Sequence, residues 1–127
     1  MQFCSVVNCM DGRTQIPVIR YLQERFGADH VDTITEPGPN LILSDQANSA
    51  AVESILARLQ ISVEHHHSVG IALVGHHGCA GNPAPEPDQL AHTRNGVRFL
   101  KGKYPDLEVL GLWVDENWDV SEVTPDD

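Results

Sequence analysis

Basic and aromatic residues are both scarce in this chain of 127 residues. Eight Lys and Arg stand against eighteen Asp and Glu, and aromatics make up 6%. The formal charge of -10 disfavours polyanions, so neither a nucleic-acid partner nor an anionic membrane surface is expected. That global sign leaves room for a small anion in a local pocket. Long apolar runs are missing too: no stretch approaches the ~20 residues that cross a bilayer. Met1 is followed by Gln2 with no basic or apolar leader, so the expected location is cytoplasmic. Cysteine is rare and odd in number, at Cys4, Cys9 and Cys79. Two of the three sit inside polar motifs. In a reducing compartment such cysteines serve as ligands or nucleophiles rather than disulfide halves.

Apolar residues are plentiful enough, at 41%, to build a core. The length suits one compact domain over residues 1–127. FCSVVN (3–8) reads as a short buried strand, and VDTITE (31–36) as a second, β-branched one. Between them Ile16, Ile19, Leu22 and Phe26 recur at helical steps, with Gly27 as the stop. EPGPN (36–40) reads as a loop. Ser44 and Asp45 are candidate caps for a helix running to about Leu59, with Ala51, Ile55 and Leu59 on one face. SVGIALVG (68–75) is apolar throughout, as a strand covered on both faces should be. GNPAPEPD reads as a proline-rich loop. A further helix carries Leu90, Val97 and Leu100 and ends near Pro105. LEVLGLWV (107–114) makes a fourth strand, and SEVTPDD reads as an acidic tail. Alternation of strand and helix predicts a three-layer α/β fold with a parallel sheet and right-handed crossovers.

Two of these strands run into unusual polar segments, CMDGR (9–13) and GHHGCAG (75–81). Ligand sites in parallel α/β sheets form beyond the carboxyl ends of neighbouring strands. If the first and third strands are adjacent, Cys9, His76 and Cys79 converge there. Thiolate and imidazole suit zinc, and three protein ligands leave a fourth position for water. Asp11 can reach the same centre, and Arg13 can pair with it as a bidentate fork. Gly75, Gly78 and Gly81 allow tight turning of the backbone. Each half alone is weak. Cys9 by itself reads as a small buried residue, and Asp11 with Arg13 as a surface ion pair of little worth. Their pairing after two predicted strands is what points to a site.

The two motifs resemble those of the β-class carbonic anhydrases, which carry C-x-D-x-R after the first strand and G-H-x-x-C-G-G or a variant after the third. VDTITEPGPN and EVLGLWVDENWDVSEV also fall where that family has its second and fourth strands and the segments after them. The resemblance implies a mainly parallel four-stranded sheet in the order 2-1-3-4. It implies zinc on Cys9, His76 and Cys79, with Asp11 and Arg13 as catalytic dyad and Asp11 as an alternative fourth ligand. It further implies a homodimer or higher oligomer, and reversible hydration of CO2 to bicarbonate by hydroxide made available on zinc near neutral pH. The chain departs from the family in four ways, one being that the glutamine upstream of the first motif, which binds bicarbonate in some members, has no evident counterpart. It starts almost at its first strand, without the usual N-terminal helices. Gly12 stands where a serine is usual, and EPGPN replaces an arginine- and asparagine-rich loop. Other zinc readings are hydrolysis of carbon disulfide or carbonyl sulfide, or a non-catalytic zinc protein with Asp11 closing the site. A metal-free cysteine hydrolase would want one reactive thiol beside a histidine, not two.

The other polar candidates read as scaffold. His65, His66 and His67 form a solvated helix end, where histidine is favourable. His77 is an exposed loop residue and His92 a surface or packing residue. Cys4 lies five residues before Cys9, so strand alternation puts it on the opposite face, in the core. Trp113 and Trp118 flank VDEN and read as core, interface or cleft wall.

Overall fold

A computed structural model describes residues 1–125 of the chain. The elements are β1 (Phe3–Cys9), a 3-10 turn (Gly12–Thr14), α1 (Gln15–Phe26), β2 (His30–Glu36), α2 (Pro39–Asp45), α3 (Ser49–His65), β3 (Gly70–His76), α4 (Glu86–Lys103), β4 (Glu108–Val114) and β5 (Val120–Val123). The sheet runs β2-β1-β3-β4-β5, and only β5 is antiparallel to its neighbour.

Strand alternation divides the core. Cys4 and Val6 of β1 face the same side as Ala72, Val74, Leu110 and Leu112, where α1 lays Val18 and Leu22 over them. Val7 faces the other side with Ile71 and Leu73, covered by Leu43 of α2, Ile55 and Leu59 of α3, and Leu100 of α4. Each fully buried leucine contributes roughly 1.5–3 kcal/mol of transfer free energy. β3 is buried along its whole length, as its unbroken apolar sequence predicts. The chain leaves β1 toward one face, into α1, and leaves β3 toward the other, into α4. The carboxyl ends of these two adjacent strands therefore open a crevice.

Several boundaries differ from the sequence reading. The sheet has five strands rather than four, because Val120–Val123 pairs with Gly111–Val114 instead of trailing as a tail. Asp126 and Asp127, the end of that expected tail, lie outside the described residues. The helix expected after a Ser44 or Asp45 cap starts later, as α3 at Ser49, and the segment before it forms a separate helix, α2, that the sequence reading did not assign. Gln46 adopts a left-handed φ of 56° and ends α2, and the Asn48 side chain accepts from Ala51 N to start α3. EPGPN is a loop only as far as Gly38, since Pro39 opens α2, a position where its missing N–H costs nothing. Glu86, Pro87 and Asp88 likewise belong to α4. Gly27 caps α1 in the left-handed conformation, with φ 62°. Of the expected stripe Leu22 is buried and Phe26 packs partly against the core, while Ile16 is exposed and Val18 is buried in addition.

Candidate metal centre

Cys9 is the last residue of β1 and His76 the last of β3, and a short loop carries the chain from His76 to Cys79. Gly78 turns that loop with a φ of 69° and stands in open space. Sulfur and imidazole atoms of Cys9, His76 and Cys79 lie within 4.8 Å of one another, and all three residues are buried. The two Sγ atoms are 3.8 Å apart. His76 Nδ1 lies 2.8 Å from the His77 carbonyl oxygen. A carbonyl can only accept, so Nδ1 carries the proton and Nε2 holds a free lone pair. That Nε2 is buried and has no hydrogen-bond partner. An orphaned acceptor beside two thiols is the donor set zinc takes, so the residues fit the metal.

The charges agree. The Cys79 thiol donates to Cys9 and, against the effect of burial, holds the Cys9 thiol well below its ordinary range. His76 and the backbone N–H groups of Gly38 and Asp11 add to this. Cys79 is pushed the opposite way, because its proton is held in the bond to Cys9 and because it is buried. Burial would lower the His76 pKa, but the Cys9 sulfur and the His77 carbonyl outweigh it and raise it.

Asp11 follows β1 and shapes the turn after it. Its Oδ1 accepts from Arg13 N at 2.9 Å and from Arg13 Nε at 3.0 Å, and its Oδ2 accepts from an Arg13 terminal nitrogen at 2.7 Å. The guanidinium holds the Asp11 carboxyl down to about 2. Gln15 Nε2 donates to the carbonyls of Cys9 and Asp11 at 2.7 and 3.2 Å, tying this turn to α1. Arg13 also lies 4.6 Å from the centroid of the Trp118 ring, a cation–π contact. Trp118 makes that contact from a φ of 63°, a conformation that costs a non-glycine residue about 1–3 kcal/mol. Asp115 secures the turn: its Oδ1 accepts from Asn117 N at 2.8 Å and Asp119 N at 3.0 Å, and its carbonyl accepts from Trp118 N at 3.0 Å.

The structure thus brings Cys9, His76 and Cys79 together and sets the Asp11–Arg13 pair at the same strand ends, outside the ligand cluster. Cys4 lies in the core on the α1 side, and burial pushes its thiol up to about 11. His65, His66 and His67 form the exposed end of α3, where His66 Nδ1 meets Asp32 Oδ2 at 2.6 Å. His77 is exposed. His92 packs against the Asn82 amide at 3.0 Å. Trp113 is buried.

Sequence reasoning missed the support around the ligands. Gly38 and Gly81 cross backbone to backbone: a Cβ on Gly81 would lie 2.4 Å from the Pro37 carbonyl carbon, and one on Gly38 would lie 2.6 Å from that of Gly81. This contact brings the Gly38 N–H to the Cys9 sulfur and the N–H groups of Asn82 and Gly81 to the Cys79 sulfur. The buried stripe of α4 is Gln89, Thr93, Gly96 and Leu100 rather than Leu90, Val97 and Leu100. Its helical spacing was readable, but a polar residue on it does not register as core.

Comparison with known proteins places the fold. The solved structures it resembles include one of two tetrameric β-carbonic anhydrases from the ascomycete Sordaria macrospora, at 16% identity and a TM-score of 0.59 over 97% of this chain and 82% of that one. They also include the β-carbonic anhydrase CafA of Aspergillus fumigatus, at 15% identity and a TM-score of 0.56 over 99% and 78%. A carbonic anhydrase from Glaciozyma antarctica matches at 16% identity and a TM-score of 0.57 over 95% and 81%. At these identities the likeness is one of fold. No curated protein matches the chain. A protein-family model described as "Putative carbonic anhydrase" matches residues 1–124. Spanned by that model almost from end to end, the chain belongs to this carbonic anhydrase family.

Proposed function

We propose that the chain interconverts CO2 and bicarbonate, with Cys9, His76 and Cys79 holding zinc and Asp11 and Arg13 acting as the catalytic dyad. The observation that carries this reading is the orphaned, buried His76 Nε2 beside two thiols, with an ionised carboxylate clamped at the same strand ends. Bound zinc supplies a water that ionises near pH 7 and a positive charge for the negative charge that develops on the substrate.

The protein groups do the rest. With a pKa of about 2, Asp11 is ionised throughout the neutral range and can only accept hydrogen bonds. It would therefore orient the attacking oxygen by accepting a hydrogen bond from it, the hydrogen staying on that oxygen, so that a lone pair is aimed at the CO2 carbon. So acidic a carboxylate is a poor proton store, so the proton released with bicarbonate passes to solvent. Arg13 engages both Asp11 oxygens and fixes the direction in which Asp11 accepts. Trp118 in turn limits where Arg13 can go.

The pairing of Asp11 with Arg13 supports this arrangement over one in which Asp11 closes the metal site. Residues 1–127 are proposed to act as one zinc-binding domain. Met10 within CMDGR and Ile16 just beyond it, 63% and 61% exposed, support a second copy of the chain packing there as a homodimer or larger assembly. Free Cys4, Cys9 and Cys79 suit the reducing cytoplasm. No helix among the described residues is long and apolar enough to cross a membrane.

Stopped-flow CO2 hydration on zinc-loaded protein tests the proposal. Rapid hydration that falls at least about 100-fold in Asp11→Asn, with zinc retained, is expected. Zinc-loaded protein inactive on CO2 but active on carbonyl sulfide or carbon disulfide would move the activity to a carbon–sulfur substrate. Full activity in Asp11→Asn would remove the carboxylate from the mechanism.

A further inference from the structure

Behind the ligands lies a closed ring of three buried amides, Gln89, Asn40 and Asn82, each no more than 1% exposed. They come from α4, from α2 and from the loop after Cys79. Gln89 Nε2 donates to the His76 carbonyl at 2.9 Å and to the Asn82 carbonyl at 3.0 Å. One side-chain nitrogen thereby spans the whole ligand loop, from the His76 backbone to the residue three beyond Cys79. Gln89 Oε1 accepts from Asn40 Nδ2 at 3.2 Å, and Asn40 Oδ1 accepts from Asn82 Nδ2 at 3.1 Å, which closes the ring. Asn40 Nδ2 also donates to Thr93 Oγ1 at 3.2 Å.

A polar ring of this kind is an expensive way to fill a core. Each amide costs about 1–3 kcal/mol if any one partner fails, and apolar side chains would pack the same space without that risk. What it gains is definition of the ligand loop. The N–H groups of Gly81 and Asn82 face the Cys79 sulfur, and that stretch of backbone is held by Gln89 through the Asn82 carbonyl. β3 is held by the same side chain through the His76 carbonyl.

We propose that this amide ring, with Gln89 as its bridging member, holds His76 and Cys79 at ligand spacing and so sets the metal affinity of the site. Gln89 is then a positioning residue, 13 positions from His76 in sequence and acting through two backbone carbonyls. The inference rests on the reading of Cys9, His76 and Cys79 as metal ligands.

The test is zinc competition against a chromophoric chelator, with cobalt(II) absorption spectra recorded on the same full-length variants. Gln89→Met keeps the volume and removes both donors. It should weaken zinc binding about 10- to 100-fold and shift the cobalt d–d bands. Gln89→Glu keeps the Oε acceptor and the shape, and should show the same two changes should the methionine variant fail to fold. Leu22→Ala, in the core on the opposite face of the sheet, controls for lost stability. It should leave the cobalt spectrum as it is and the zinc affinity within about twofold of wild type. Glutamine variants that bind zinc within about twofold of wild type, with an unchanged cobalt spectrum, would overturn the proposal. So would Leu22→Ala reproducing their effect. Wild-type protein that binds no zinc, or Cys79→Ser that keeps a full complement of it, would overturn the ligand reading and this inference together.

Discussion

Asp11 is the residue on which the proposed chemistry turns, and its pair with Arg13 leaves a signature in stability as well as in rate. Its folded pKa of about 2 lies below the ordinary ~3.9. A depressed carboxylate pKa stabilises the fold fully above the unfolded value, and that contribution is lost as pH falls through the folded value. In metal-free protein the urea midpoint should therefore drop between about pH 4 and about pH 2, and drop less steeply in Asp11→Asn. Equal slopes would mean that the pair is not formed in solution. Trp118 offers a second test at this scale. Trp118→Leu keeps the costly positive φ but removes the ring over Arg13. The expected result is a hydration rate roughly 2- to 5-fold lower with zinc content unchanged, and an unchanged rate would make the tryptophan mere packing. The convergence of Cys9, His76 and Cys79 and the Asp11–Arg13 pair beside them were legible in sequence because each motif follows a strand and leads into a turn. The role of Trp118 was not, because it depends on a left-handed turn set by Asp115 and on a contact 105 positions away in sequence from Arg13.

At the scale of elements, the site depends on the crossing of the loop before α2 with the loop after Cys79. Adding a methyl group at Gly81 drives it into the Pro37 and Gly38 backbone at 2.4–2.7 Å, and a main chain cannot rotate aside as a side chain can. Gly81→Ala should cost about 1–3 kcal/mol in denaturant unfolding, and it should also weaken zinc retention. A variant with wild-type stability and zinc content would mean that the two loops do not touch. Among the elements, β1, β3 and β4 were readable as apolar runs, and α1 from its stripe and Gly27. α2 was hidden, because Pro37, Gly38 and Pro39 read as loop signals although Pro39 opens the helix, and the true start of α3 rests on the Asn48 cap rather than on Ser44 or Asp45. β5 was hidden for a different reason. Its residues alternate only weakly, and their pairing is decided by the free edge of β4 rather than by their own composition.

For the molecule as a whole, the proposed ligands come from two strands that carry the chain to opposite faces of the sheet, so a metal held there would be thermodynamically linked to the fold. Zinc that binds only the folded form stabilises it by about 2.7 kcal/mol when free metal stands at 100 times its dissociation constant. Chelation should accordingly lower the thermal midpoint, and added zinc should restore it; a midpoint indifferent to both would separate the metal from the fold. The net charge of -10 does not oppose this, because the crevice draws on thiols, an imidazole and the Arg13 cation rather than on the acidic exterior. The measurement that tests the central claim most directly is zinc X-ray absorption on the loaded full-length chain, compared with Cys79→Ser. Two sulfurs and an imidazole nitrogen around zinc in the wild type, with loss of zinc or of one sulfur in the variant, are predicted. A zinc environment of oxygen and nitrogen alone, or one that Cys79→Ser leaves unchanged, would contradict it.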